Sequence, residues 1–218
     1  MDMDLILNVL VIVGVILVSM TLHEAMHAFV SYWLGDDTAK EQGRLTLNPI
    51  KHIDPFLTLL LPLTLAVLGL PIFGGARPVP FNPDRVKGGE WGAALVALAG
   101  PLTNLFIAFI VFGVGVVSGV ITSNGVEASL IGVIIFTMIR VNLGFFVFNM
   151  LPIPPLDGSR ALYALAPEFV RRGMEMIERS GILLVFALVL LAGPAMGEIM
   201  GSAIGGILDL FTLIFRVP

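Results

Sequence analysis

The chain has 218 residues, of which 57% are hydrophobic and only 13% are charged, and its formal net charge at pH 7 is -4. Soluble domains carry about 25% charged residues, so this composition and several long apolar runs exclude an ordinary soluble domain and indicate a polytopic membrane protein. The small, dispersed net charge gives no indication of nucleic-acid binding, and the lack of cysteine excludes disulfides and thiolate zinc sites.

The first predicted element is an apolar run from Leu5 to Trp33, which is long enough to cross a bilayer as a tilted helix. The residues before it are acidic, whereas a secretory signal peptide begins with positive charge. We therefore interpret the run as a retained transmembrane helix.

The motif His-Glu-Ala-Met-His at residues 23–27 lies within this run. His23 and His27 are four residues apart, so both rings lie on one face of a helix and can reach one metal ion. Glu24 can lie beside the metal without binding it and can take a proton from water that the metal activates. This is the arrangement of a zinc peptidase. The motif begins about 27 Å along the helix from Leu5, so we expect it inside the membrane, nearer the end where the helix leaves it.

A polar, irregular segment follows over residues 35–55. The alternation of polar and apolar residues over 44–48 predicts a short β-hairpin or loop at the membrane surface, close to the motif helix. His52 is the only histidine outside the motif. It orients this loop, contacts substrate or is a solvated loop residue, and it is a weaker candidate for a third metal ligand than the aspartate described below.

The next apolar segment, Phe56 to Phe73, is interrupted by two prolines and a glycine. It is just long enough to span the membrane, but a re-entrant hairpin agrees better with the topology argued below. The loop over residues 74–89 is rich in proline and glycine, which predicts extended backbone.

Two further spans, Glu90–Gly119 and Ala128–Asn149, are joined by a short polar connection. Asn104 in the first of them is a polar group that needs a partner, and helix packing explains it better than catalysis. Arg140 lies well inside the second and is open to three interpretations: it faces a polar cavity, pairs with an acid or extends to the interface.

A proline-rich stretch follows the second of these spans and ends at Asp157 and Gly158. The prolines end the helix, and the Asp-Gly pair predicts a turn that aims one carboxylate at a fixed place. A zinc site needs a third ligand here and no other histidine is well placed, so Asp157 is the candidate.

Residues 159–180 predict an interfacial amphipathic helix with a net positive charge. Residues 181–215 are apolar but interrupted at Gly193 and Pro194, which predicts one span and then a second. The predicted fold is an all-α polytopic membrane protein with five to six transmembrane helices around a buried metal site and a short membrane-surface β-hairpin. We expect one domain over 1–218, with a catalytic core at about 5–158 and C-terminal amphipathic and membrane helices over 159–218.

The distribution of positive charge orients this arrangement in the membrane. If Asp157 shares a metal with the two motif histidines, the loops 35–55, 74–89 and 159–180 lie at one face. These loops carry most of the lysine and arginine, whereas the N-terminus and the 121–127 connection carry none. Positive charge marks that face as cytoplasmic.

Three stretches, in this order, resemble the site-2 protease family of intramembrane zinc metalloproteases: residues 23–27, 99–104 (Ala-Gly-Pro-Leu-Thr-Asn) and 149–158 (Asn-Met-Leu-Pro-Ile-Pro-Pro-Leu-Asp-Gly). Residues 43–49 and 52–55 resemble its compact prokaryotic-type branch, which lacks a PDZ domain. The resemblance covers nearly the whole chain.

The resemblance implies that one Zn2+ ion is bound by His23, His27 and Asp157, with Glu24 as catalytic base. It also suggests Asn149 near the substrate carbonyl, where it could stabilise the developing oxyanion, with Asn104 and His52 as weaker alternatives.

The implied activity is hydrolysis of a peptide bond within or near a transmembrane helix of a membrane-protein substrate, in the plasma membrane of a prokaryotic cell. Such a helix must partly unwind, and the hairpin predicted over 35–55 offers an edge for the unwound strand. A different class of function is a transporter or metal-permeation protein that uses the same polar residues as a transit site, but the chain shows no inverted repeat. A catalytically silent scaffold is a third possibility, against which the complete set of candidate catalytic residues argues.

Overall fold

The computed structural model describes residues 3–61, 64–65, 75–179 and 181–217. Within these ranges the chain is mostly helical. The helices are α1 (Met3–Trp33), α2 (Thr38–Glu41), α3 (Gly89–Val117), α4 (Leu130–Asn149), α5 (Asp157–Leu165), α6 (Glu168–Glu178) and α7 (Gly181–Phe215). A 3-10 turn at Pro49–Lys51, a π-helical turn at Pro55–Leu60 and the antiparallel strands β1 (Ile121–Thr122) and β2 (Gly125–Val126) complete the described elements.

Four helices of the described chain are long and apolar enough to cross a membrane: Ile6–Trp33, Gly89–Val117, Leu130–Asn149 and Leu190–Phe215. They confirm a multi-pass membrane protein, and the first three lie where the sequence predicts spans. Among the described residues the count is four rather than five to six. The prediction for Phe56–Phe73, a re-entrant hairpin rather than a span, rests largely on residues 62–63 and 66–74, which lie outside the described residues.

The interruption predicted in the last apolar segment is wrong, because α7 is one helix of 35 residues that continues through Pro194. A proline is tolerated inside a membrane helix when neighbouring groups compensate for its missing N–H. The end of α7 packs beside the end of α3, where Phe211 and Phe215 contact Phe109 and Phe112. This helix therefore leads away from α6 to the end of the bundle that carries the β1–β2 hairpin.

Helix α3 lies at the centre of the bundle, in contact with α1, α4, α5 and α7. In its second half, Phe112 packs with Ile139 and Phe211 in a buried apolar cluster. Its first half buries mainly small residues, among them Gly92, Ala97 and Gly100. Small residues allow close approach between membrane helices, and here they bring α1 against α3.

Of the two alternatives predicted over residues 35–55, a β-hairpin or a loop, the structure has the loop, and the paired strands of the described chain lie between α3 and α4 instead. Polar side chains in 35–55 bond to nearby backbone instead. Asp36 Oδ1 accepts from the backbone N–H of Thr38 at 3.0 Å, Asn48 Oδ1 accepts from that of Ile50 at 3.0 Å, and Asp54 starts the π-helical turn in the same way. Such local bonds compete with strand pairing.

The end of α1 fixes the position of the proline-rich segment, residues 75–83. Gly35 has a φ of +101°, and the bonds from its own N–H to Tyr32 O and from the N–H of Asp36 to Ser31 O form a Schellman ending. This ending turns the buried Asp36 side chain inward, where Oδ2 accepts from the N–H of Asn82 at 2.7 Å. Val79 of the segment then packs on Ala28 of α1.

The amphipathic helix predicted over 159–180 is two helices, α5 and α6, because Pro167 disfavours helical backbone at the residue before it. Arg171 donates to the free carbonyls of Ala164 and Ala166 at the end of α5. The hydroxyl of Tyr163 donates to Glu175 at 2.6 Å, and this bond, aided by desolvation, raises the pKa of Tyr163 to about 12.

Candidate metal centre

The two motif histidines and the aspartate that begins α5 lie side by side. The His23 and His27 rings are buried on consecutive turns of α1, with centroids 4.7 Å apart and planes at 84°. Asp157 Oδ2 lies 3.2 Å from His23 Nε2 and 3.5 Å from His27 Nε2. The structure thus brings together the three residues predicted as ligands, although His23 and Asp157 are 134 positions apart in the chain.

These atoms fit a zinc ion in both chemistry and spacing. Two imidazole nitrogens and one carboxylate oxygen are a donor set that zinc accepts while leaving one position open. Bonds of about 2.0–2.1 Å in a tetrahedral site place ligand atoms about 3.3 Å apart, which is close to both N···O distances.

Glu24 is a second carboxylate at the same place, since ligand atoms of His23, Glu24 and His27 all lie within 4.8 Å of one another. Its Oε2 accepts from the backbone N–H of Val79 at 2.9 Å. Asp157 lies within 3.5 Å of both imidazoles, which favours Asp157 over Glu24 as the third ligand. Glu24 is then a candidate proton acceptor beside the three candidate ligands.

The backbone of α3 orients the second histidine. His27 Nδ1 lies 2.7 Å from Val96 O. A carbonyl only accepts, so in the neutral ring Nδ1 carries the proton and Nε2, on the side of Asp157, is the atom left to bind a metal ion.

Gly100 of α3 forms a wall of the site against the two histidine rings. A Cβ at this position would lie 2.4 Å from His27 Nε2 and 2.7 Å from His23 Cε1. Only glycine leaves both rings where they are, so the space beside the two imidazoles depends on the absence of one methyl group.

A second close approach positions the carboxylate. A Cβ at Gly158 would lie 2.4 Å from the carbonyl oxygen of Met150, so the start of α5 lies directly against the end of α4. The turn predicted at Asp157 and Gly158 is displaced, because the turn covers the preceding residues and Asp157 is the first residue of the helix.

His52 lies apart from this group. It is fully buried, Nε2 donates to Thr46 O at 2.9 Å, and Nδ1 faces the guanidinium of Arg44 at 3.4 Å. Arg44 also donates to Arg77 O. Both ring nitrogens of His52 therefore hold loop backbone and side chains together, in agreement with the first of the three interpretations of this residue.

The two asparagines predicted as oxyanion donors differ in position. Asn104 is fully buried and its Oδ1 contacts His23 Nδ1 at 2.6 Å, behind the ring and away from Asp157. Asn149 is the last residue of α4, and its Nδ2 donates to Phe145 O at 3.0 Å. Arg140 is exposed, with its guanidinium 5.4 Å from the Phe136 ring centroid.

The sequence did not reveal several residues that shape this centre, namely Ser19, Val79, Gly100 and Asn142. Asn142 carried the one usable signal, because an asparagine in the middle of an apolar span needs a partner. Its partner could not be named before the helices were placed.

Similar proteins are known from several bacteria. The chain is 42% identical over 205 residues to "Putative zinc metalloprotease YwhC" of Bacillus subtilis (strain 168), covering 92% of this chain and 90% of that protein. It is 35% identical over 194 residues to "Putative zinc metalloprotease Rip2" of Mycolicibacterium smegmatis, covering 87% and 69%. It is 32% identical over 202 residues to the Rip2 protein of Mycobacterium tuberculosis (strain H37Rv), covering 92% and 74%.

No protein-family model matches the chain, and no solved structure matches it. The names of the relatives favour a hydrolytic metal site over the transit site of a transporter.

Proposed function

Because this chain belongs to the site-2 protease family of zinc metalloproteases, we propose that it hydrolyses a peptide bond within or near a transmembrane helix of a membrane-protein substrate. One observation carries the proposal: the histidines that would bind zinc lie inside a helix able to span the membrane. His27 and His23 are about 9 and 15 Å along α1 from Trp33. A catalytic centre at that depth can reach peptide bonds of a substrate that soluble proteases cannot.

His23, His27 and Asp157 would hold the zinc ion, which when bound supplies Lewis-acid activation of water and of the scissile carbonyl. Glu24 accepts a proton from the attacking water as the new C–O bond forms. It then passes that proton to the amine nitrogen as the C–N bond breaks. The N–H of Val79 holds one oxygen of Glu24, which keeps the carboxylate in one orientation during both transfers.

Asn149 is the proposed donor to the substrate carbonyl. Its amide nitrogen has two hydrogens, and one of them is used by Phe145 O. The second is available to an oxyanion that develops beside the site. Asn104 is not needed for this role, because it lies behind the His23 ring.

We further propose that residues 1–218 act as one domain, in the plasma membrane of a prokaryotic cell, with the metal centre nearer the cytoplasmic face. Ten of the twelve lysines and arginines lie in residues 34–55, 75–88 and 157–179. The His27 end of α1 and the start of α5 border the same loops, so the positive-inside rule favours this orientation.

The test replaces Glu24 with glutamine, which keeps the size of the side chain and removes the proton acceptor. Membrane fractions of cells with wild-type protein and with Glu24→Gln are compared by quantitative proteomics for fragments that end inside transmembrane segments. We expect such fragments only with the wild type, equal zinc content in both purified proteins, and a fall in cleavage of about 10²–10⁴-fold.

Glu41→Gln is the matched control, since Glu41 is an exposed glutamate whose partner is the surface residue Arg85 at 3.6 Å. It should leave the fragments unchanged. Wild-type levels of the fragments in the Glu24→Gln strain would refute the role of Glu24, and fragments confined to soluble loops would refute intramembrane cleavage.

A further inference from the structure

A chain of buried side chains behind the His23 ring begins at a backbone carbonyl. Asn142 Nδ2 lies 2.8 Å from Met138 O, and a backbone carbonyl can only accept a hydrogen bond. The atom of Asn142 at this position is therefore the nitrogen, whose other hydrogen goes to Ser19 Oγ at 2.9 Å. It follows that Asn142 Oδ1 is the atom that faces Asn104.

The same logic fixes the next amide. Asn142 Oδ1 has no hydrogen, so the atom of Asn104 that lies 2.8 Å from it is Nδ2. The nitrogen also lies 3.4 Å from the backbone oxygen of Ser19, which again only accepts. Asn104 Oδ1 is thereby turned to His23 Nδ1 at 2.6 Å. Asp157 Oδ2, 3.2 Å from Nε2, also only accepts, but a neutral ring that binds zinc through Nε2 has its one proton on Nδ1, where Asn104 Oδ1 accepts it.

We propose that Asn142 is a positioning residue for the metal centre: it fixes the amide of Asn104, which holds the proton of His23 on Nδ1 and leaves the Nε2 lone pair free for zinc. The proposal rests on the metal-ligand role proposed for His23. The series of hydrogen bonds runs from a backbone carbonyl of α4 through Asn104 of α3 to His23 of α1. Three spans must therefore be packed correctly before the His23 ring has its proton on Nδ1 and can bind zinc through Nε2.

The two histidines are oriented in different ways. His27 donates directly to Val96 O, and no side-chain substitution removes a backbone carbonyl. His23 depends on Asn104 and Asn142, which are both fully buried. Without Asn142 the amide of Asn104 keeps only the longer bond to Ser19 O at 3.4 Å, and this weaker restraint lets it turn over and present its NH2 group to Nδ1. The ring proton would then move to Nε2, and zinc could no longer bind the lone pair of that atom.

Burial makes it costly to reverse either amide of this network. Asn104, Asn142 and Ser19 are each 0% exposed, and in such surroundings an unpaired amide hydrogen is costly. Both side-chain amides, Asn104 and Asn142, have partners at their oxygen and at their nitrogen, so reversing either amide would break bonds at both of its ends.

The experiment measures the zinc dissociation constant of the purified full chain by competition with a chromophoric chelator. Asn142→Leu removes the fixed acceptor and keeps a similar volume. Loss of a group that orients a metal ligand costs about 10–100-fold in affinity, and we expect a loss in that range. Thr103→Val is the control, because Thr103 bonds only to Ala99 O of its own helix, and it should bind zinc as the wild type does.

The decisive comparison repeats Asn142→Leu in an Asn104→Asp background. Both oxygens of a carboxylate accept, so Asp at position 104 presents an acceptor to His23 Nδ1 whichever way it turns. We expect Asn142→Leu to have no further effect on zinc affinity there. An equal loss in both backgrounds would mean that Asn142 acts only through packing and would overturn the proposal, as would unchanged affinity of the single variant.

Asn142→Asp serves where the leucine variant fails to fold. A protonated aspartic acid can donate to Met138 O through its hydroxyl and accept from Asn104 through its carbonyl, so zinc affinity should remain near the wild-type value. A loss as large as that expected for leucine would contradict the proposed polarity. Absence of zinc binding by the wild-type protein would overturn the metal centre itself, a different result from loss in Asn142→Leu alone.

The 15N spectrum of histidine gives a second readout, which reports the position of the ring proton and not the zinc dissociation constant. The chain has only three histidines, so their ring signals can be assigned by single substitutions. In the zinc-loaded wild type we expect His23 and His27 to carry the proton on Nδ1. A His23 ring with the proton on Nε2 in the wild type would refute the relay directly.

Discussion

Gly100 shows how closely the two proposed imidazole ligands are packed. It lies on α3, one turn after the carbonyl of Val96 that orients His27, and its missing Cβ is the space in which the rings sit. The same residue therefore serves helix packing and the metal centre together, and a mutation there should affect both.

Replacing Gly100 with alanine should displace both rings, because the new methyl carbon would lie 2.4 Å from His27 Nε2 and 2.7 Å from His23 Cε1. We expect zinc affinity to fall at least about tenfold, in the range seen when the groups that orient metal ligands are disturbed. Chelator competition measures the loss. Gly144→Ala is the control, since a Cβ there meets nothing within 4 Å, and it should bind zinc normally. Equal zinc affinity of the two variants would contradict this account of Gly100.

The motif residues could be predicted from the sequence because their relation is local: two histidines four positions apart share a helix face in any fold. Asp157 could be reached by elimination, since a zinc site without cysteine had few other ligands to use. The contacts of Gly100, Asn104 and Asn142 could not be reached, because they depend on which helices pack together and at what rotation.

The proline-rich segment 75–83 connects the loop after α1 to the proposed catalytic base. Asp36 holds one end of it through the N–H of Asn82, and the N–H of Val79 holds Glu24 at the other. Burial alone would raise the pKa of the Asp36 carboxyl, but hydrogen bonds from Thr38 and Asn82 outweigh it and hold the pKa below its ordinary value of 3.8.

This lowered pKa predicts a pH dependence for the segment. A carboxylate with a depressed pKa in the folded state stabilises the fold above its unfolded pKa and loses that contribution as the pH falls through the folded value. Hydrogen exchange at Asn82, corrected for the intrinsic effect of pH, should thus be slow near neutral pH and accelerate below about pH 4. Asp36→Asn should weaken protection by about 1 kcal/mol at neutral pH and remove the acid dependence.

Asp37→Asn is the matched control for this experiment, since the neighbouring Asp37 is exposed and its side chain makes no capping bond to α2. It should exchange like the wild type at every pH. Protection of Asn82 that is the same in Asp36→Asn and in the wild type would refute the anchoring role of Asp36.

Secondary-structure elements could be predicted from the sequence where hydropathy alone determines their position. The spans α1, α3 and α4 begin and end within a few residues of their predicted limits, because long apolar runs leave the backbone no other way to satisfy its hydrogen bonds in lipid. Over 35–55 the loop alternative is correct and the hairpin is not, because the side chains of Asp36, Asn48 and Asp54 accept hydrogen bonds from nearby N–H groups. Alternation of polar and apolar residues does not reveal that competition.

The whole arrangement combines three spans around the metal centre with a fourth, α7, that packs mainly at the far end of α3. Residues 34–55, 75–88 and 157–179 surround the membrane face near the centre. The β1–β2 hairpin and the last residues of α7 lie at the other face. Because α7 is one continuous helix, it places Arg216 at the face opposite the metal centre.

Single-cysteine labelling tests this topology without background, because the chain has no cysteine of its own. Cysteine is placed at four exposed positions, Asn124 and Arg216 at one face and Asp84 and Arg172 at the other. A membrane-impermeant maleimide added to intact cells should label positions 124 and 216, and it should label 84 and 172 only after permeabilisation, since positive loops stay on the cytoplasmic side. Were α7 broken into two spans at Pro194, position 216 would instead be labelled together with 84 and 172. Labelling of position 84 from outside would reverse the proposed orientation. Labelling of 84 and 172 from opposite sides of the membrane would place Asp157 and the α1 histidines near opposite faces. One metal ion could not then bind all three residues.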